Sequence, residues 1–484
     1  MKIKVLLLNP PFFPKFSRSQ RSPAVIKSGT LYYPIWLAYA TGALEKAGIE
    51  TSLIDAPAEG LRLQEVLQKV REFKPGLLVL DTSTPSIHSD IQTAEAIKRE
   101  NPDTFLIMVG THVSATPEET LQSSTAIDAV ARHEYDYTLL HLAEILSKGA
   151  DLEKIDGISL RKNGKILHNK DRELIKNLDE LPFVSRVYKR HLKVENYFYS
   201  ITRYPQITLI TARGCAHRCI YCVYPQTMHG MKYRCRSIED VVEEFLYIQK
   251  EFPQVKEIFI EDDTLTLNRR RCREFSELML KKGVKIPWTA NSRADVDPET
   301  LKVMKAAGCR LLCVGVESGD QKILDNIQKG ITLEKIHKFV KDARKAGILI
   351  HACFMAGNPG ETKETLQKTL RFAKELSTDT AQFFPLMVYP GTKAYWWAKE
   401  NGYLTTQNYS EWLTDKGLHN CVVSTPELSS GDLVVFCDSA RRSFYLRPTY
   451  MVGKLLQMIK TPSEAFRILK SSKTFFRYLS NPSL

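Results

Sequence analysis

Residues 211–222 read Thr-Ala-Arg-Gly-Cys-Ala-His-Arg-Cys-Ile-Tyr-Cys and bring Cys215, Cys219 and Cys222 onto one short segment. The apolar run 208–211 predicts a β-strand just before them. The glycine and charged residues among the cysteines indicate a polar loop rather than a buried helix face. A loop can fold three thiolates around one centre, and soft thiolates suit zinc or an iron–sulfur cluster. The stretch therefore predicts a metal centre at the end of a strand.

The number of cysteines in the loop discriminates between the two kinds of centre. Structural zinc usually has four protein ligands, commonly from two separated pairs, and no matching second pair follows this loop. Three ligands on a [4Fe–4S] cluster leave one iron free to bind a small molecule. The alternatives are zinc with a fourth ligand such as Cys235 or His217, and three cysteines buried in a core. The spacing favours the cluster.

Around this loop, apolar runs alternate with amphipathic helical patterns. The predicted strands are 208–211, 257–260, 288–291, 311–316, 349–355 and 381–386. Six strand–helix units in series predict a partial (β/α)6 barrel of the TIM type over residues 206–400. In such a barrel the chemistry belongs at the C-terminal ends of the strands, where the cysteine loop lies.

Residues 1–150 show the same alternation and predict a doubly wound, Rossmann-like parallel sheet. Such sheets bind ligands at the carboxyl ends of their strands. Small or polar residues follow the predicted strands, and the candidate ligand-binding residues are Asn9, Thr82, Ser83, Gly110, Thr111, His112 and Glu134. Neither a GxGxxG motif nor a P-loop is present, which argues against a dinucleotide site. Ordinary turn chemistry is the alternative explanation of these residues.

The two remaining segments differ from the repeating units. Residues 151–205 are charged and irregular and are predicted to be a linker that contains a short hairpin. Residues 401–484 are predicted to be helical and basic. From residue 441 onward there is one acidic residue, Glu464, against nine basic ones, namely Arg441, Arg442, Arg447, Lys454, Lys460, Arg467, Lys470, Lys473 and Arg477. Such a segment either lies on an anionic bilayer or packs on the barrel as a solvated helix.

The composition sets the wider limits. The 484 residues are 43% hydrophobic and 25% charged, with a net charge of +13, which is typical of a globular protein of several domains. The first apolar run ends at Asn9-Pro10, too early for a signal peptide or a membrane span, so a cytoplasmic protein is expected. No nucleic-acid-binding module accompanies the positive charge, so nucleic acid is not an expected partner.

The cysteine motif, placed after the first strand of a six-unit barrel and with Tyr221 before its last cysteine, resembles the radical S-adenosylmethionine (SAM) superfamily. The resemblance implies that Cys215, Cys219 and Cys222 bind a [4Fe–4S] cluster and serve as the catalytic centre. The open iron would bind the amine and carboxylate of SAM, and reductive cleavage would give a 5′-deoxyadenosyl radical. The electron would come from an external flavodoxin or ferredoxin type of donor.

The resemblance extends to the ends of the second and third strands. Glu261, Asp262 and Asp263 end the second strand, where the family keeps a motif that contacts the SAM amine. Asn291 and Arg293 end the third strand. Each could instead be a helix cap or a surface charge, but all of them fall in register with the strand ends.

Later strand ends and the N-terminal domain complete the resemblance. Glu317 ends the fourth strand and is the candidate for the ribose hydroxyls, and Gly357 follows the fifth, where the family's backbone passes the adenine. An α/β domain before the barrel is similar to the B12-binding subclass and implies cobalamin at the N-terminal strand ends. The motif Asp-x-His-x-x-Gly is missing, so the lower axial ligand of cobalt is unassigned. A degenerate domain without cofactor is the alternative.

Residues 222–237 resemble the branch of this subclass associated with hopanoid biosynthesis. That resemblance implies a lipid or isoprenoid-like substrate. The similarity to the cobalamin-binding subclass makes methylation the favoured reaction, and the basic C-terminal segment makes peripheral contact with the inner membrane face an expectation. Ring contraction or carbon–carbon bond formation on a lipid is the enzymatic alternative, and a zinc-stabilised binding protein is the other. Cys309, Cys313 and Cys353 are expected to be core residues, and a second cluster is not indicated.

Overall fold

The computed structural model describes residues 3–460, 464–465 and 467–469. Its N-terminal sheet is built from buried apolar segments. The seven strands are β1 (Lys4–Asn9), β2 (Glu50–Asp55), β3 (Leu77–Asp81), β4 (Phe105–Val109), β5 (Ala129–Ala131), β6 (Ile158–Lys162) and β7 (Lys165–His168). They are ordered β2-β1-β3-β4-β5-β6-β7. The first five are parallel, and the order reverses between β1 and β3, where ligands of doubly wound sheets bind.

Helices cover both faces of this sheet, which explains why β1 and β3 are almost continuous apolar runs. The helices are α1 (Ile35–Lys46), α2 (Ala56–Glu59), α3 (Leu63–Phe73), α4 (Ile87–Glu100), α5 (Thr111–Ala115), α6 (Pro117–Ser123), α7 (Asp136–Lys148) and α8 (Val184–His191). Helix α1 is buried from Ile35 to Leu44 because α7 and α8 pack on it. The predicted α/β fold of this region is confirmed.

The segment 151–205, predicted to be a linker, contains regular structure. Strands β6 and β7 form the hairpin indicated by the sequence, and β6 pairs antiparallel with β5, so the hairpin extends the N-terminal sheet. Arg132 anchors this edge, because its side chain donates to the carbonyl of Ile158 at 2.7 Å. Part of the segment therefore belongs to the first domain.

The second sheet forms the predicted partial barrel. Its strands are β8 (Gln206–Leu209), β11 (Glu257–Ile260), β12 (Trp288–Ser292), β13 (Cys309–Glu317), β14 (Leu349–Ala356) and β15 (Thr380–Pro385), and a separate two-stranded ribbon is β9 (Ala212–Arg213) with β10 (Arg234–Cys235). All neighbouring barrel strands are parallel and follow chain order from β8 to β15. Their C-terminal ends therefore share one face.

Ten helices accompany the barrel and the described C-terminal region. They are α9 (Val223–Thr227), α10 (Ile238–Glu251), α11 (Arg269–Lys282), α12 (Pro298–Ala306), α13 (Gln321–Asn326), α14 (Leu333–Ala346), α15 (Lys363–Leu376), α16 (Lys393–Glu400), α17 (Ser430–Tyr445) and α18 (Pro448–Lys460). Local sequence sets many of their ends. Helix α14, for example, begins after Thr332, which caps the Lys335 N–H, and ends at Gly347 in the left-handed conformation.

The helical character predicted for the C-terminal region is confirmed for α17 and α18, and α17 packs on β15. Near the start of the barrel strands, Glu464 accepts hydrogen bonds from Arg467 at 2.8 Å and from Arg203 at 3.0 Å. The predicted basic residues Lys470, Lys473 and Arg477 lie outside the described residues. Among the helices that are described, none combines the length and apolar character that a bilayer crossing requires.

A buried arginine ties the segment after β1 to the first domain. The Arg18 and Asp90 side chains form an ion pair at 2.6 Å, and both are completely inaccessible to solvent. Arg18 also donates to Asn9 Oδ1 and to the Pro10 carbonyl, each at 2.8 Å. The carboxyl ends of β1 and β3 are therefore joined by a polar network without water access.

We expect Arg18→Ala to destabilise the first domain by about 3–5 kcal/mol, because it leaves the Asp90 carboxylate buried without its partner. The control is Arg71→Ala, which removes the exposed ion pair with Glu100 and should cost less than about 1 kcal/mol. Urea unfolding followed by hydrogen exchange of the backbone amides of residues 4–148 measures both. Equal shifts of the two midpoints would contradict the role assigned to Arg18.

Candidate active site

The cysteine loop leaves the barrel through the β9–β10 ribbon. Arg213 pairs with Arg234 in this ribbon, which brings the two ends of the loop together. Gly214 has φ +83°, and a Cβ there would lie 2.2 Å from the Lys232 carbonyl oxygen. Only glycine permits that approach of the two arms.

Two buried ion pairs fasten the ends of the loop to the first domain. Arg213 donates to Asp136 at 2.7 and 3.1 Å, and Arg234 donates to Glu134 at 2.8 and 2.7 Å. Glu134 also accepts from the backbone N–H of Ile175 at 3.0 Å. Both oxygens of this carboxylate are therefore engaged, and the geometry favours a domain-bridging role for Glu134 over the expected contact with cobalamin.

The loop opens into a cavity of about 840 Å³ at the C-terminal ends of the barrel strands. Most residues expected around the cluster and SAM line it, namely Cys215, Cys219, Tyr221, Cys222, Glu261, Asp263, Asn291, Arg293 and Glu317. Burial raises the pKa of the Cys215 and Cys222 thiols, so a cation is needed to hold them as thiolates. The sequence prediction that these residues meet at one face is consistent with this geometry.

Tyr221 and Glu317 form a three-residue group with Lys329. The Tyr221 hydroxyl donates to Glu317 Oε1 at 2.9 Å, and Lys329 Nζ donates to the same oxygen at 2.8 Å. Although burial opposes its charge, Glu317 raises the pKa of Lys329 above its usual value. Lys329 was not predicted from the sequence, since it follows α13 at no strand end. Glu317 itself adopts φ +68°, which turns it out of the strand at a β-bulge.

The residues at the end of the third strand contact the backbone around this group. Arg293 donates to the carbonyls of Lys329 at 2.9 Å and Gly330 at 3.0 Å. Asn291 Nδ2 lies 3.3 Å from the Asp262 carbonyl oxygen. Both side chains therefore also hold the protein segments that surround the cavity.

The three acidic residues after β11 have different surroundings. Asp262 accepts from the Thr211 N–H and hydroxyl, both at 2.6 Å, and from the Ala212 N–H at 3.1 Å. It does not line the cavity and holds the start of the cysteine loop. Glu261 and Asp263 line the cavity instead. The sequence pattern could not distinguish them from Asp262.

Arg21 contacts the two acidic residues that line the cavity. Its guanidinium pairs with Glu261 and lies 3.5 Å from Asp263. Burial opposes the charge of Arg21, but the two carboxylates raise its pKa well above the usual value. Asp263 also accepts from His229 Nδ1 at 3.2 Å, so the acidic end of the cavity has two basic partners. The sequence gives no signal for Arg21, which lies in an irregular segment far from the barrel.

Several buried polar atoms near the loop have no hydrogen-bond partner, and they indicate whether a polar cofactor fits there. Within the described part of the chain, Glu261 Oε2, Thr264 Oγ1 and His217 Nε2 are buried without a hydrogen-bond partner, and all three residues line the cavity. Buried polar atoms normally have partners. A ligand with an amine and hydroxyl groups would supply them, so the residues fit SAM beside a cluster on the three cysteines.

Gly357 lies outside the cavity lining. Its N–H donates to Glu361 Oε2 at 2.6 Å, in the turn after β14. A Cβ at this position would lie 2.7 Å from a methyl group of Leu433 on α17. Packing against α17 accounts for the glycine here, and the contact with adenine stays a prediction.

The strand ends of the first domain form a buried polar network. Thr82 Oγ1 donates to the Val109 carbonyl at 2.8 Å, and the Ser83 and Ser86 hydroxyls are 2.7 Å apart. Gly110 has φ +123°, where a Cβ would lie 2.5 Å from the Thr82 carbonyl oxygen. These residues pack against one another, which makes the edge rigid.

His112 and Thr111 begin α5 at this edge. His112 Nδ1 lies 3.1 Å from the Thr84 hydroxyl, and burial lowers the pKa of His112 to about 3, so the ring is neutral. The ring packs edge-on against Tyr409 at 4.9 Å. Thr111 is half-buried at the first position of the helix.

This edge also contains groups that lack partners. Among the described residues, Asp81 Oδ2 and the Tyr135 hydroxyl are buried without hydrogen bonds. Burial raises the pKa of Asp81 to about 8. The edge faces the cysteine loop, since His133 Nδ1 donates to the Thr227 carbonyl at 3.0 Å. Unpartnered polar groups between two domains fit a large amide-bearing cofactor such as cobalamin.

The comparisons with known proteins agree with this geometry. The radical SAM superfamily model matches residues 209–373, and the B12-binding domain model matches residues 21–143. An uncharacterized methyltransferase of Pyrococcus horikoshii is 33% identical over 461 residues, which cover 94% of this chain and 96% of that protein. The hopanoid C-3 methylase of Methylococcus capsulatus is 24% identical, over 78% of this chain and 70% of its own.

A solved structure shares the fold. The radical SAM methyltransferase TsrM from Kitasatospora setae, with cobalamin and a [4Fe–4S] cluster bound, superposes with a TM-score of 0.70 at 18% identity. The match covers 93% of this chain and 92% of that one. The structural similarity therefore extends over both domains, which follow each other in the same order along the two chains.

Glu317→Gln tests the group formed with Tyr221 and Lys329. If Glu317 binds the ribose hydroxyls, the loss of its charge should weaken SAM binding about 10-fold, or about 1.4 kcal/mol. Equilibrium dialysis with labelled SAM measures the affinity, and iron content should stay unchanged. The control is Glu334→Gln, which alters an exposed carboxylate on α14. Unchanged affinity in Glu317→Gln would remove Glu317 from the SAM site.

Proposed function

Because this chain belongs to the radical SAM enzymes that carry a B12-binding domain, we propose that it methylates an unactivated carbon of a lipid or isoprenoid-like molecule. The protein is an enzyme whose cofactors are a [4Fe–4S] cluster, SAM and cobalamin. This identity replaces the alternative of a zinc-stabilised binding protein. The cavity that connects the cysteine loop to an apolar surface is the observation that supports the substrate class.

The bound cofactors supply a reactive carbon radical and a transferable methyl group, and the protein supplies position and shielding. In this proposal Cys215, Cys219 and Cys222 hold the cluster. Glu261 and Asp263 receive the SAM amine, with Arg21 balancing their charge. An external flavodoxin or ferredoxin type of donor delivers the electron.

The cavity wall formed by α18 and the residues near it is rich in apolar side chains, although Lys454 and Arg467 also line it. Met451, Leu455 and Met458 lie at helical spacing on α18 and line it, so one face of this helix forms a cavity wall. A substrate with a long hydrocarbon part would bury that part here while its reacting carbon approaches the polar end. Removal of apolar area from water contributes about 25 cal/mol per Å², so such walls select apolar molecules.

The adjacent face of α18 is exposed and also apolar. Val452 is 56% exposed, Leu456 is 50% exposed and Ile459 is 76% exposed. Lys454 lies on the cavity side of the helix instead, where its Nζ pairs with Asp379 at 3.2 Å, and Arg447 donates to the carbonyls of Phe444 and Lys374. Exposed apolar patches mark contact surfaces, and a helix with such a face can lie in a membrane interface. We therefore extend the proposal to peripheral contact with the cytoplasmic face of the membrane, where a lipid substrate could enter beside α18.

Cys219→Ala tests the cluster assignment. A loop with two thiolates should no longer retain the cluster, so anaerobic reconstitution should leave the protein without the broad visible absorption of iron–sulfur charge transfer. Production of 5′-deoxyadenosine from SAM should be abolished. The control is Cys235→Ala, which removes a thiol of β10 that does not line the cavity. Continued SAM cleavage by Cys219→Ala would contradict the assignment.

The substrate class is tested in cells fed with methionine that carries a deuterated methyl group. Lipid extracts of a strain without this protein should lack a labelled lipid that the parent strain contains. The mutant strain should instead accumulate the unmethylated precursor of that lipid. Expression of the wild-type chain should restore the labelled lipid, whereas expression of Cys219→Ala should not. A lipid product that has a new ring or carbon–carbon bond but no deuterated methyl group would favour the alternative reactions, ring contraction or carbon–carbon bond formation. Identical lipid extracts would contradict a lipid substrate.

A further inference from the structure

Two cysteines and a histidine meet inside the barrel, away from the cysteine loop. Cys313 lies on β13, and His351 and Cys353 lie on β14. Their Sγ and ring nitrogen atoms all lie within 4.8 Å of one another. The sequence predicted that both cysteines pack in the core, but all three side chains line the cavity.

Strand register explains how these residues meet. Cys313 is directly opposite His351 in the β13–β14 pair, and Cys353 lies two residues farther along β14. Residues two apart on a strand point to the same face, so His351 and Cys353 both point to the side on which Cys313 lies. The group is therefore held by two adjacent strands rather than by a mobile loop.

The histidine is oriented for ligand binding. The Nδ1 atom of His351 lies 2.8 Å from the hydroxyl of Thr380, on the neighbouring strand β15. Metal-binding histidines commonly use one ring nitrogen for such a hydrogen bond and bind the metal with the other. With Nδ1 engaged by Thr380, Nε2 is the ring nitrogen available to a metal.

The spacing and chemistry of the three groups fit one ion. Zinc binds sulfur at about 2.3 Å and imidazole nitrogen at about 2.0 Å in a tetrahedron, which places ligand atoms about 3.5–4 Å apart. Two adjacent thiolates carry two negative charges, and a divalent cation neutralises them. Soft thiolates favour zinc over magnesium or calcium.

We propose that Cys313, His351 and Cys353 bind one zinc ion inside the barrel, in addition to the cluster on the cysteine loop. Binding releases the two thiol protons to solvent and changes no oxidation state. Three protein ligands leave the fourth tetrahedral position facing the cavity. That position takes a water molecule or an oxygen or sulfur donor of the substrate, which would fix the substrate relative to the polar end.

The full-length protein with its cluster reconstituted is incubated with zinc, desalted and analysed for both metals by mass spectrometry. We expect one zinc per chain above the iron of the cluster. X-ray absorption at the zinc edge should show two sulfur ligands at about 2.3 Å and nitrogen or oxygen at about 2.0 Å. The zinc edge is separate from the iron edge, so the cluster does not interfere.

The double variant Cys313→Ala/Cys353→Ala should lose zinc while its iron content and SAM cleavage persist. His351→Gln keeps both thiols and should weaken zinc binding at least about 10-fold, in line with the loss of one ligand. The control is Cys309→Ala, which removes a buried thiol from the same strand outside the cavity and should retain zinc. Three results would overturn the proposal. They are zinc retained by the double variant, a zinc coordination shell without two sulfur ligands, and a disulfide between Cys313 and Cys353. Loss of the cluster in the double variant would also overturn it, because the two sites would then not be separate. Wild-type protein that holds zinc in a two-sulfur shell but no cluster would count against the cysteine loop and still support the zinc site.

Discussion

The position of the cysteine loop depends on two arginine–carboxylate pairs that cross from one domain to the other. Arg213 with Asp136 and Arg234 with Glu134 are buried at the ends of the loop, where neither partner can exchange its ion pair for water. An unpaired charge at such a site costs several kcal/mol, so the two domains cannot separate locally without a large penalty. The loop is thereby held between the strand ends of both sheets, and the carboxyl edges of the two domains face each other.

Charged groups continue from these pairs into the cavity. Arg21 balances Glu261 and Asp263, and Lys329 balances Glu317, so each carboxylate near the loop has a basic partner. Fixed partners keep the carboxylates oriented before any ligand binds, which lowers the reorganisation that binding requires. Asp262 has a different function, because its oxygens accept hydrogen bonds from the first residues of the loop. Adjacent residues therefore have different roles, because Asp262 holds the loop whereas Glu261 and Asp263 face the cavity.

The sequence predicted the parts of this molecule that depend on local pattern. Alternating strands and helices give both parallel sheets, and the spacing of Cys215, Cys219 and Cys222 locates the centre. Contacts between distant segments were not predictable, because hydrophobic periodicity contains no information about register between strands. The pairing of β6 with β5 and the approach of Arg21 to Glu261 are of this kind. Cys313 and His351 likewise become neighbours only through the β13–β14 register.

The polarity of the cavity lining changes along the cavity. This change connects the exclusion of water from the radical with the kind of substrate that the cavity accepts. Its polar end, near Glu317 and Lys329, can hold a charged nucleoside, whereas Met451 and Leu455 provide hydrocarbon walls at the other end. A carbon radical must be kept from water and from stray hydrogen donors, and Leu455 on the apolar wall is 56% exposed to solvent. An apolar substrate that fills this end would displace that water itself. A polar substrate would leave the walls wet. For the proposed lipid substrate, the surface that buries its hydrocarbon part would therefore also make radical chemistry dependent on the bound substrate.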